Sequence, residues 1–176
     1  MSSSLNQHMS LTDVEGKPLP TATLLAGYAG ILAELRERQV IRSGNAPVGD
    51  YAEWLVARAL DGIIAPSKAA KSYDITVPGR GLIQVKARLA SEPRTSGQLQ
   101  TSPFRSWDFD AAALVLLSTI DYHVTKAVLL PVDVTRACAI WRPNVNGWVI
   151  RMTNALMGHT SAEDITDRLN AAATSA

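Results

Sequence analysis

This chain has one cysteine, few aromatic residues and no marked excess of either charge. Its single cysteine, Cys138, cannot form an intrachain disulfide, and no Cys/His spacing typical of a structural zinc site is present. Both features favour a reducing compartment, so we predict a cytoplasmic protein. Seventeen Lys and Arg residues against sixteen Asp and Glu residues leave a net charge of +1, which excludes a polybasic coat or an acidic tail for the chain as a whole.

Long hydrophobic runs are also missing. The longest apolar run, residues 111–117, is far shorter than the roughly 20 residues that a membrane-spanning helix needs. The first 20 residues have no basic segment followed by an apolar one, so they do not predict a secretory signal. We therefore expect neither secretion nor membrane insertion. With 176 residues, 47% of them hydrophobic, the chain has enough apolar surface for one globular domain.

The hydrophobic pattern predicts a single α/β domain over residues 21–172, preceded by a disordered N-terminal tail over 1–20. Two helices are expected first, one from residue 21 to the break at 42–47 and a buried one over 48–60. Val, Ile and Leu runs bounded by turn residues then predict strands at 73–78, 82–88, 112–118 and 124–131.

The rest of the chain completes a mixed β-sheet flanked by helices. We expect a short helix over 132–139, a hairpin turn at Asn146-Gly147 and a last helix over 162–172. Residues 89–110 are polar and exceed the usual length of a connection, which indicates a loop on the substrate side of the domain.

The segment YDITVPGRGLIQVKAR, residues 73–88, contains the polar residues of most chemical interest. Its alternation predicts a hairpin with one apolar face and one polar face. If Gly79-Arg80-Gly81 is a three-residue loop, Asp74 lies opposite Lys86 and Thr76 lies opposite Gln84. Asp74, Gln84 and Lys86 then converge on the polar face.

A carboxylate, an amide oxygen and a lysine on one strand face suit metal-assisted hydrolysis of phosphodiesters. Asp74 would bind Mg²⁺, helped by the Gln84 side-chain carbonyl and the Val85 backbone carbonyl, because this hard cation prefers oxygen ligands. Lys86 would orient the attacking water or help to deprotonate it, and would offset charge on the phosphate.

These residues resemble the PD-(D/E)XK nuclease superfamily, whose motif is an Asp on one strand followed on the next by Glu or Gln, any residue, and Lys. Many members also place a Glu on the preceding helix, where this chain has Glu53. The resemblance spans about residues 45–130, and the segment ELRERQVIRSGNAPVGDYAEW is similar to a little-characterised bacterial group of that superfamily. It implies a restriction-endonuclease-like fold, a Mg²⁺ or Mn²⁺ cofactor, metal ligation by Glu53 and a role for Glu53, Asp74, Gln84 and Lys86 in catalysis.

Other interpretations of the same residues stay open. A neutral amide at Gln84 binds a divalent cation more weakly than a carboxylate does. Asp50 and Glu53 have the spacing of a helix capping box, which would give Glu53 a purely structural role. Asp74 and Lys86 would also suit an ordinary cross-strand ion pair.

A local excess of basic residues favours a DNA contact. Between residues 67 and 105, seven Lys and Arg residues stand against two acidic ones, a local charge of +5. Phe104 and Trp107 would either stack on bases or anchor this segment to the core. The predicted DNA-binding residues are Lys68, Lys71, Arg80, Arg88, Arg94 and Arg105.

The leading hypothesis is a Mg²⁺-dependent DNA endonuclease. Because cutting both strands needs two sites, a homodimer is a possible partner arrangement. The main alternative is a catalytically inactive module of the same fold that binds DNA or a protein partner. A third hypothesis is a protein-interaction subunit that uses a hairpin carrying Trp141 and Trp148.

Overall fold

A computed structural model describes residues 11–13, 15–43, 46–66, 72–91 and 97–174 of the chain. The chain divides into two compact units, Met1–Gly44 and Asn45–Ala176. The tail predicted over 1–20 lies mostly outside the described residues, and the single domain predicted over 21–172 stays a prediction. Of the described helices, none is long and apolar enough to cross a lipid bilayer.

The first unit contains helix α1 (Thr21–Glu37), which confirms the first predicted helix. It begins directly after Pro20, whose extended ψ of 145° is not helical. It ends before Gln39, where the backbone takes a left-handed φ of 59° and turns away from the helix axis.

The second unit is a mixed α/β domain, as predicted. Strands β1–β5 and β8 form a six-stranded sheet in the order β1-β2-β3-β4-β5-β8, and β6 and β7 form a separate hairpin. Its described helices are α2 (Val48–Ala59), α3 (Val132–Ala137), α4 (Asn154–Met157) and α5 (Thr166–Thr174). Its described strands are β1 (Ile63–Ile64), β2 (Ile75–Val77), β3 (Gly81–Ala90), β4 (Ala111–Ser118), β5 (Val124–Pro131), β6 (Ile140–Arg142), β7 (Gly147–Val149) and β8 (Glu163–Asp164).

Helices cover both faces of the six-stranded sheet. Apolar residues of α2 and α5, such as Leu55 and Leu169, pack with Ile83 and Val115 in one core cluster. On the other face, residues of α3 and α4 pack with Leu114 and other strand residues in a second cluster. Alternate side chains of β4 enter the two clusters, which explains why this strand is apolar throughout.

The hairpin between β2 and β3 has the predicted loop length but a different register. Its loop is residues 78–80, and Val77 pairs with Gly81, so the predicted pairing of Asp74 with Lys86 and of Thr76 with Gln84 is wrong by two residues. A shift of two residues leaves every side chain on its predicted face, because successive residues of a strand alternate between faces.

The physical reason for this register lies in Gly81 and Asp110. Gly81 has a left-handed φ of +80°, and a Cβ built on it would lie 2.0 Å from Asp110 Oδ2. That same oxygen accepts a hydrogen bond from the Leu82 N–H at 2.7 Å. Only glycine fits at the start of β3 while the Asp110 carboxylate occupies this place.

The long connection between β3 and β4 lies along the β7 strand and the residues after it. Within its described part, 97–110, the Thr101 N–H donates to the Ile150 carbonyl at 2.9 Å, and Phe104 exchanges backbone hydrogen bonds with Trp148. The Phe104 ring is only 1% exposed and stacks on Trp107, so these aromatic residues anchor the segment to the core. The predicted β6–β7 hairpin is confirmed, with Trp141 opposite Trp148.

Candidate active site

Asp74 directly precedes β2 and fixes the middle of β3. Its Oδ2 accepts a hydrogen bond from the Val85 N–H at 2.8 Å and another from the Gln84 side-chain amide. Its own backbone N–H donates to the Ile83 carbonyl at 2.9 Å. The predicted site residues Asp74 and Gln84 are therefore in direct contact, although through a register other than the predicted one.

Lys86 lies two residues further along the polar face of β3, under the connection that leads to β4. Its Nζ donates to the Pro103 carbonyl at 3.3 Å and lies 4.9 Å from the centroid of the Phe104 ring. A carbonyl oxygen and an aromatic face both favour a cation, and together they hold the amine in one position. The sequence did not predict that Pro103 and Phe104 contact Lys86, since nothing in a polar loop indicates which strand it covers.

The charges around Lys86 show which predicted residues the fold brings together. Burial lowers the pKa of Lys86 below its ordinary value of 10.5, whereas the negative charges of Asp74 and Glu53 act to raise it. The nearby guanidinium groups of Arg105 and Arg88 lower it further. Two carboxylates and two guanidinium groups are thus within electrostatic reach of the Lys86 amine.

Glu53 reaches this place from α2, where it is only 9% exposed. The capping-box interpretation is wrong, because α2 begins at Val48 with Pro47 as its N-cap, which puts Asp50 inside the first turn. A buried carboxylate without a capping role is costly to keep unless it is paired or hydrogen-bonded. Its negative charge acts on the Lys86 amine, so Glu53 lies close enough to Lys86 for the two charges to interact.

The three described arginines that we predicted to bind DNA have different hydrogen-bond partners. Arg88 Nε donates to the Gln100 carbonyl at 2.5 Å, and Arg105 Nη1 donates to the carbonyl of Val145 at 2.6 Å. Arg80 at the tip of the β2–β3 hairpin instead forms a double ion pair with Glu163, with nitrogen–oxygen distances of 2.5 and 3.1 Å. The other predicted cations, Lys68, Lys71 and Arg94, lie outside the described residues.

The donor atoms of the predicted metal site suit a hard cation, although carboxylates are few. No group of three or more His, Cys, Asp and Glu residues suited to a metal occurs in the described part of the chain. Glu53 and Asp74 contribute two carboxylates, and Gln84 has an amide oxygen. The Val85 N–H donates to Asp74, and the N–H and C=O of one extended residue point to the same side of a strand, so the Val85 carbonyl points to that side of β3 as well. Oxygen donors of these kinds are what Mg²⁺ and Mn²⁺ prefer.

No protein-family model matches this chain, and no curated protein matches it either.

Proposed function

We propose that this chain is a metal-dependent endonuclease that hydrolyses DNA phosphodiester bonds on a restriction-endonuclease-like fold. One observation carries the proposal. Two carboxylates, that of Glu53 on α2 and that of Asp74 before β2, lie within electrostatic reach of the Lys86 amine on β3. An ordinary cross-strand ion pair would involve Asp74 and Lys86 alone, whereas the Glu53 carboxylate on α2 also acts on the Lys86 amine.

Four groups would hold the cation: the carboxylates of Glu53 and Asp74, the Gln84 side-chain oxygen and the Val85 backbone carbonyl. When bound, Mg²⁺ or Mn²⁺ supplies a Lewis acid that polarises the phosphodiester and lowers the pKa of water. The hydrogen bond from the Val85 N–H keeps the Asp74 carboxylate fixed beside β3. Preorganised ligands of this kind do not have to be ordered when the cation arrives.

Lys86 would act on the attacking water. Because burial lowers its pKa, its amine loses its proton at a lower pH than an exposed lysine does, which suits a group that takes a proton from water. The Pro103 carbonyl and the Phe104 ring orient the amine. Arg88 and Arg105 add positive charge on the same side, where the phosphates of DNA would lie.

One specific observation favours the inactive, DNA-binding alternative. The Gln84 amide nitrogen donates to Oδ2 of Asp74, so the nitrogen of the Gln84 side chain, and not its oxygen, faces this carboxylate. A cation would require the Gln84 amide to turn over. A chain in which this contact persists would bind DNA through its basic residues without cutting it.

The test is cleavage of linear, supercoiled, single-stranded and branched DNA in Mg²⁺ and in Mn²⁺. We expect the wild type to cut at least one form, and we expect Asp74→Asn to lose cutting, because an amide binds a divalent cation weakly. Asp108→Asn is the matched control, since Asp108 is an exposed residue of the connection over the site and has no proposed role. Both variants remove one negative charge, so a difference between them reports the site rather than net charge.

Binding of Mn²⁺, measured by calorimetry, separates the two candidate functions. An endonuclease binds the cation through Asp74, and the affinity falls in Asp74→Asn but not in Asp108→Asn. Salt-sensitive DNA binding with neither cleavage nor Asp74-dependent Mn²⁺ binding would rule out the endonuclease and favour the inactive module.

A further inference from the structure

A cavity of about 580 Å³ opens beside the β6–β7 hairpin and α4, and Lys86 is not among the residues that line it. Its volume falls within the range of about 300–1,000 Å³ that is usual for small-ligand sites. Ile140, Val149 and Leu156 give it an apolar wall. All residues that line it belong to the second unit and are well inside the described part of the chain.

The charged residues of this cavity are all of one sign. Arg142 and Arg151 line it, and the described lining residues include no Asp or Glu. In the described part of the chain, neither arginine takes part in an ion pair with a carboxylate. Two guanidinium groups beside one cavity favour an anion, and a phosphate matches their paired N–H groups well.

The ligand must satisfy the apolar wall as well as the two cations. Inorganic phosphate would leave Ile140, Val149 and Leu156 unused, whereas an apolar molecule would leave both arginines without a partner. We propose that the cavity binds one nucleotide, with its phosphate on Arg142 and Arg151 and its base against the apolar wall. The choice of a nucleotide rests on the proposed function, because a nuclease substrate is a chain of such units.

A hydrogen bond connects the cavity to the candidate active site. Gln100 lines the cavity, and its backbone carbonyl accepts from Arg88 Nε at 2.5 Å. Arg88 lies two residues after Lys86 on the same face of β3, a separation of about 7 Å along a strand. A nucleotide in the cavity could therefore belong to the DNA strand whose phosphate lies at Lys86. Alternatively, the cavity would take a free nucleoside monophosphate.

Cys138 allows a direct test, because it lines the cavity, is exposed and is the only cysteine of the chain. The rate of its alkylation by iodoacetamide is measured with 5′-dAMP, deoxyadenosine, inorganic phosphate or a 5′-phosphorylated single-stranded oligonucleotide. We expect protection by 5′-dAMP or by the oligonucleotide, at concentrations about tenfold lower than those at which deoxyadenosine or phosphate protects.

The double variant Arg142→Gln/Arg151→Gln should need at least about tenfold more nucleotide for the same protection, since charge-assisted hydrogen bonds are lost. Arg168→Gln on α5 is the control for a lost positive charge, because Arg168 does not line this cavity. Protection by the oligonucleotide alone assigns the cavity to the substrate strand, and protection by 5′-dAMP assigns it to a free nucleotide as well.

Equal protection by phosphate and 5′-dAMP would overturn the proposal, as would protection by none of the nucleotides. DNA cleavage measured in parallel separates the two failures. If the wild type cuts DNA while Cys138 stays fully reactive, only the cavity inference is lost. If Cys138 is protected but no DNA is cut, the nucleotide site stands and the endonuclease does not.

Discussion

The two central strands of the sheet, β3 and β4, pair in parallel from Ile83 opposite Ala111 to Ala90 opposite Ser118, yet their side chains differ sharply. Six consecutive residues of β4 are buried, and all of them are apolar. In β3, buried Ile83 and Val85 alternate with half-buried Gln84 and Lys86. Lys86 lies directly opposite Leu114 in this pairing, so a lysine and a core leucine are neighbours on one face.

Lys86 is a position at which this fold gives up stability. An amine beside an apolar cluster is poorly solvated, and its lowered pKa shows that the charged form is disfavoured there. A leucine at the same position would simply enlarge the core. Groups with shifted pKa values concentrate at functional sites, so β3 is the strand on which we expect chemistry and β4 the strand that holds the domain together.

Lys86→Met should change the protein most, because it replaces the polar side chain at this position of β3 with an apolar one, as in β4. Cleavage should fall by about 10²–10⁴-fold, as is typical when a general base is removed. The stability of the folded protein should be equal or higher, because a disfavoured charge is gone. Cleavage rates and urea unfolding of the same preparation check both expectations. A variant that cuts at the wild-type rate would remove Lys86 from the mechanism.

Leu114→Ala tests the other strand at the paired position. It should lower the free energy of unfolding by about 2–5 kcal/mol, because it leaves a cavity in a fully buried cluster. The folded fraction should still cut DNA, since the substitution removes no group that touches the substrate. Urea unfolding gives the loss of stability, and cleavage per folded molecule gives the contrast with Lys86→Met. A stable but inactive variant would contradict the division between the two strands.

Gly81→Ala probes the contact that joins the start of β3 to the start of β4. Gly79→Ala is the matched control, because Gly79 has a similar φ of +74° but open space around its Cα, whereas a Cβ at Gly81 meets Asp110. The backbone conformation alone should cost about 1–2 kcal/mol in each variant. We expect Gly81→Ala to lose more stability than Gly79→Ala in thermal unfolding. Equal losses would show that Asp110 moves aside freely.

A pH series gives the smallest expected effect. The folded state releases the Lys86 proton at a lower pH than the unfolded chain, in which the amine has its ordinary pKa of 10.5. The unfolded state therefore binds more protons in the window below that value, so wild-type stability rises with pH there. The advantage of Lys86→Met should shrink as the pH rises from 7 to 10 in urea unfolding. A constant difference would mean that burial does not disfavour the charged amine.

Local patterns predicted most of the elements, because the residues that decide them are close together in the chain. The helical spacing before residue 38, the buried helix α2 and strand β5 all follow from short-range hydrophobic periodicity. The faces of Asp74, Gln84 and Lys86 were also predictable, since a strand alternates whatever its register. Strands β1 and β8 contain two residues each and are too short to show any period.

The remaining features depend on contacts between distant residues. The sequence VPGRG allows a three-residue loop at 78–80 or at 79–81, and Asp110, far along the chain, decides between them. The ion pair of Arg80 with Glu163 joins residues that are 83 positions apart. The cover of Lys86 by Pro103 and Phe104 likewise follows from how the connection packs, which no local pattern encodes.

The two pairings of β4 also differ in the length of chain that separates the partners. Residues 119–123 connect β4 to β5, whereas residues 91–110 connect β3 to β4. Closing a short loop loses less conformational entropy, so we expect the β4–β5 hairpin to form early during folding and β3 to join it later. The candidate site needs β3, α2 and the 97–110 connection all in place. Catalytic competence would then appear only in the last stage of folding, after most of the apolar sheet has assembled.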